Sequence, residues 1–67
     1  MLPENRIKDS DVIKFITQNK LGMTTNEVRI NFGIRYEKAL NILENLMKDE
    51  KIEKYLLGNQ TMWKLMR

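Results

Sequence analysis

The chain holds one serine, Ser10, and neither cysteine nor histidine. A serine hydroxyl attacks only when a neighbouring base takes its proton, and no obvious base is present. Without Cys and His, disulfides and Cys/His zinc sites are excluded as well. Carboxylates pair at Asp9 with Asp11 and at Asp49 with Glu50, and both pairs fall at the expected ends of helices. Asp9 and Asp11 suit the positive N-terminus of a helix better than acid–base work. Gly22, Gly33 and Gly58 stand too far apart to form a phosphate-cradling loop. The chemistry left is non-covalent, so the expectation is a binding protein, not an enzyme, with no cofactor and no metal.

Charge points to the kind of ligand. The formal net charge is +3, and it is unevenly spread. Residues 1–33 carry a balance of +1 and residues 34–50 a balance of −1. Residues 51–67 set Lys51, Lys54, Lys64 and Arg67 against Glu53 alone, a local +3. Such an excess attracts a polyanion weakly. No apolar run approaches the roughly 18 residues that cross a bilayer, and the start lacks the basic and apolar segments of a secretory signal. An intracellular, cytoplasmic protein with no membrane partner is expected.

The 67 residues suffice for one domain, and at that size a core rarely supplies more than about 3–5 kcal/mol. Residues 1–8 read as a lead-in and residues 9–67 as the domain. Asp9 or Ser10 is expected to cap a first helix carrying Val12, Ile13, Phe15 and Ile16, which Gly22 ends. Thr24 and Glu27 have the spacing of a capping box, and a second helix is expected from Thr25 to Phe32, broken by Gly33. Ile34 returns to the core. A third helix runs from about Tyr36 to Lys48, with Ala39, Leu43 and Leu46 inward. Residues 51–57 and 61–66 read as a hairpin around a three-residue loop, Gly58-Asn59-Gln60. Trp63 is expected in the core.

The segment from Gly33 to Leu46, with Thr24-Thr25-Asn26-Glu27-Val28 before it and Leu46 to Ile52 after it, resembles the winged helix-turn-helix DNA-binding transcriptional regulators. The likeness covers about residues 10–67. It implies a mainly α fold with a small β-hairpin: three helices plus a two- or three-stranded wing. It also implies double-stranded DNA as partner, with the third helix in the major groove. By resemblance the reading positions are Arg35, Tyr36, Lys38 and Asn41. Arg35 can make a bidentate contact to guanine and Asn41 one to adenine, while Tyr36 and Lys38 suit sugar and phosphate. Backbone N–H groups of Thr25 and Asn26, at the start of the second helix, could hold a phosphate. Lys54 and Lys64 flank the wing on the same expected face and could sit on neighbouring backbone.

Three features depart from the family pattern. Arg29 stands where a small residue is favoured. Ile30 and Leu40 stand where exposed polar residues are usual, and the tip Gly58-Asn59-Gln60 carries no cation. An apolar patch around Ile30 and Leu40 defines the alternative, a winged-helix module that binds another protein. A homodimer is a further expectation, since so small a core gains from a second copy.

Overall fold

The computed structural model describes residues 7–66. Most of the expected lead-in 1–8, and Arg67, lie outside them. Three helices, α1 (Asp9–Ile16), α2 (Thr25–Phe32) and α3 (Tyr36–Lys48), combine with three strands, β1 (Met23–Thr24), β2 (Ile52–Leu57) and β3 (Gln60–Leu65). The sheet is antiparallel, in the order β1-β3-β2. The fold is therefore mixed helix and sheet, compatible with the three-helix, three-stranded plan.

Local chemistry explains most of the boundaries. Lys8, not Asp9 or Ser10, is the N-cap of α1. The Asp11 carboxylate accepts the Lys8 backbone N–H at 3.1 Å, which satisfies a donor the helix leaves free. Nor does Gly22 end this helix: it stops at Ile16, and Thr17 caps it with its hydroxyl donating to the Lys14 carbonyl at 3.0 Å. Gly22 serves another purpose. Its φ is +86°, and a Cβ there would lie 2.1 Å from the carbonyl oxygen of Trp63. Only glycine lets β1 close onto β3.

The capping box of α2 is complete. Glu27 N–H donates to Thr24 Oγ1 at 3.1 Å, and Thr24 N–H donates to Glu27 Oε1 at 2.8 Å. Gly33, left-handed at φ 65°, closes the other end. α3 starts after Arg35, its N-cap, and ends where Glu50 takes φ 61°. The hairpin turn is tighter than expected: Leu57 pairs with Gln60, so its loop is the two residues Gly58-Asn59. Gly58, at φ 63°, occupies the first central position, where such turns favour glycine.

Val12, Ile16, Val28, Phe32, Ile34, Ala39, Leu43, Leu46, Ile52 and Trp63 form one core. The rings of Phe15 and Phe32 meet edge to face at 5.9 Å. Trp63 buries its indole, whose N–H donates to Thr25 Oγ1 at 2.8 Å.

Candidate nucleic-acid interface

The start of α2, the first turn of α3 and the first residues of β3 meet around an open groove of about 550 Å³. Three expected site residues border it, Thr25, Asn26 and Tyr36, with Asn19, Glu27, Gln60 and Thr61. Its lining is mostly polar, with Leu21 and Met62 among it, and Glu27 is the one charged residue that lines it among the described residues.

Thr25 is 5% exposed, with its hydroxyl committed to Trp63. Only its backbone N–H can serve a ligand, as helix geometry leaves the first-turn donors free. Asn26 is exposed, and its Oδ1 accepts the Arg29 Nε–H at 2.8 Å. The Glu27 carboxylate sits at the same helix end, held by both the N–H and the hydroxyl of Thr24. That carboxylate already offsets part of the positive helix terminus.

On α3, Arg35 is exposed at the junction with the turn, and Tyr36 opens onto the groove. Lys38 is half-buried, and Asn41 is exposed three residues on, a spacing that puts the two side by side. The outward residues also include Glu37, Glu44 and Lys48, so acids and bases are balanced along this helix. A phosphate-only contact gains little from such a face, whereas hydrogen-bonding contacts to base edges do not require net charge.

Lys54 and Lys64 do not share a face, contrary to expectation. Lys54 pairs with Trp63, and Lys64 pairs with Glu53, in the next register position. Side chains alternate along a strand, so the two lysines project from opposite sides of the hairpin. Lys54 Nζ lies 5.5 Å from the centroid of the Trp63 ring. Lys64 Nζ lies 3.7 Å from Glu53 Oε2 and 5.3 Å from the Tyr55 ring centroid. The Tyr55 hydroxyl in turn donates to the Leu21 carbonyl and ties the α1–β1 loop to the sheet.

Gln60, Thr61 and Asn19 were missed in the sequence. Nothing in their types marks them, and their place in the groove follows from the β1-β3-β2 pairing. The apolar patch changes too. Ile30 is 61% exposed, but Leu40 is half-buried and packs on the core. Leu56, at 73%, is exposed near the hairpin tip. Among the described residues, no helix is long and apolar enough to cross a membrane.

Residues 8–67 match the model of a protein family described as FaeA-like protein. Neither the curated proteins nor the solved structures contain a significant match to the chain.

Proposed function

We propose that this chain, which belongs to the FaeA-like family, is a small DNA-binding transcriptional regulator on a winged helix-turn-helix fold. α3 enters the major groove and the β2–β3 hairpin acts as the wing. The observation that carries this reading is the groove where α2, α3 and β3 meet, with Asn26, Tyr36, Gln60 and Thr61 on its rim. A duplex laid along α3 brings its sugar-phosphate backbone over those hydrogen-bonding groups, while Arg35 and Asn41 reach base edges. The protein acts inside the cell by occupying its site, without catalysis, cofactor or metal. A titration of fluorescent genomic and random duplexes at two salt concentrations tests this. Binding that falls steeply with salt supports it, and no binding to any duplex at about 50 mM salt refutes it.

The exposed Ile30 favours a second reading, a module that docks another protein through α2. Under it, Ile30→Ser abolishes partner binding while Arg35→Ala barely matters; under the first, Arg35→Ala weakens binding to duplex DNA and Ile30→Ser does not.

A further inference from the structure

β2 has one neighbour in the sheet, β3, among the described residues. Its pairing runs without a bulge from Ile52 to Leu57, and it contains no proline. Bulges, prolines and outward charges are what keep such an edge from pairing with another chain. The polar side chains of β2 instead lean back over their own sheet. Glu53 reaches Lys64 at 3.7 Å, Lys54 lies over the Trp63 ring, and Tyr55 donates its hydroxyl to the Leu21 carbonyl. Leu56 and Leu57 stay exposed beyond them. The turn settles which backbone groups line the open edge. Leu57 and Gln60 close a two-residue loop, and the closing pair of such a hairpin exchanges its hydrogen bonds. The groups alternate along β2, so the N–H and C=O of Lys54 and Leu56 point outward.

We infer that the β2 edge is an interface for a second copy of this chain, paired antiparallel about a two-fold axis at Tyr55. Such an axis keeps every side chain on its own face, so the pairing is centred on a residue. Centring on Glu53 or on Lys54 sets like charges directly opposite each other, which destabilises a sheet. Centring on Leu56 pairs only residues 55–57, because Gly58 belongs to the turn. Centring on Tyr55 pairs residues 53–57 and opposes no like charges. Lys54 of one copy and Leu56 of the other then exchange their outward hydrogen bonds, in both directions. Leu56 and Leu57 lie against the stems of Lys54 and Glu53 of the other copy, which removes apolar surface from water. The pairing needs no DNA, and it leaves both faces of the hairpin open to a duplex.

The chain has no cysteine, so single introduced cysteines trap the pairing cleanly. Tyr55 meets its own copy at a non-hydrogen-bonded position, where Cα atoms stand about 4.5 Å apart, within reach of a disulfide. Tyr55→Cys should therefore cross-link to a dimer under mild oxidation, without DNA. That change also removes the tie to Leu21, so a second pair of variants repeats the test elsewhere. Glu53→Cys and Leu57→Cys chains should each stay monomeric alone and cross-link when mixed. Equal cross-linking alone and mixed marks random collision and overturns the inference, as does no cross-link in any of them. Charge checks the register by sedimentation equilibrium. Leu56→Glu, opposite Lys54, should dimerise roughly tenfold more tightly than Leu56→Lys. The same swap at the exposed Leu65, on the central strand, should make no such difference. Equal constants for the two Leu56 variants overturn the register, and an equal gap at both positions reflects net charge alone and overturns it too.

Discussion

At Gly22 the loop after α1 meets β3 backbone to backbone. An added methyl group would press on the Trp63 carbonyl, and the left-handed φ would strain any other residue. Gly22→Ala should lower the thermal midpoint by roughly 10 °C or more, read by circular dichroism. An unshifted midpoint would show that β1 and β3 need not approach so closely. Arg35 and Asn41 are the opposite case, exposed and outside the core. Their replacement by Ala should leave melting unchanged. Each should nevertheless cost about 1–3 kcal/mol at a cognate DNA site, the worth of a bidentate base contact. Full cognate affinity in Arg35→Ala would remove the main proposed base reader. Leu40 belongs with neither group, because its contact with the core makes a polar substitution there a matter of stability.

Helix ends decide the elements. α2 stands on a reciprocal box at one end and a left-handed glycine at the other. α3 lacks that glycine: Glu50 takes φ 61°, while Lys51 N–H closes onto the Leu46 carbonyl at 3.0 Å. A side chain in that conformation costs about 1–2 kcal/mol, which glycine avoids. Glu50→Gly should therefore stabilise the fold by roughly 1 kcal/mol in urea unfolding, less whatever the freer unfolded chain takes back. A clear loss of stability would mean that the glutamate makes contacts outweighing its backbone strain. The hairpin follows the same logic. Gly58 takes the positive φ and Asn59 completes the loop, so the strands pair out to Leu57 and Gln60.

For the whole molecule, the sheet sorts its charges onto two sides. Lys54 and Lys64 face opposite ways, so under the DNA reading a duplex held on one side of the hairpin meets one of them and not the other. Lys54→Ala and Lys64→Ala should consequently differ: one reduces the salt slope by about 0.9 and the other leaves it alone. Equal reductions would mean that DNA wraps the hairpin. The small core raises the matter of a second copy, with β2 at the edge of the sheet among the described residues, beside the exposed Leu56 and Leu57. A symmetric dimer should sediment as twice the chain mass at micromolar concentration and recognise an inverted repeat with half-sites about one helical turn apart. A chain that stays monomeric with DNA present excludes it.

The sequence by itself determined the elements that depend on neighbours three or four residues away. The Thr24–Glu27 box, the stop at Gly33 and the inward row Ala39, Leu43 and Leu46 are all local, and all are where their spacing puts them. Trp63 was legible as core from its size and apolarity. Where several residues compete for one local role, the pattern left a choice, and Lys8 with Asp11 took the cap of α1 from Asp9 and Ser10. Tertiary structure alone decided the rest. A strand of two residues carries no periodicity, so β1 exists only because Met23 and Thr24 find Trp63 and Met62 across the sheet. That pairing turned Gly22 from a supposed helix stop into a contact point between strands. It also brought Thr25 under the indole of Trp63, set Gln60 and Thr61 beside Asn26, and put two lysines ten residues apart on opposite faces. Such outcomes depend on register between distant segments, where a shift of a single residue exchanges the two faces of a strand.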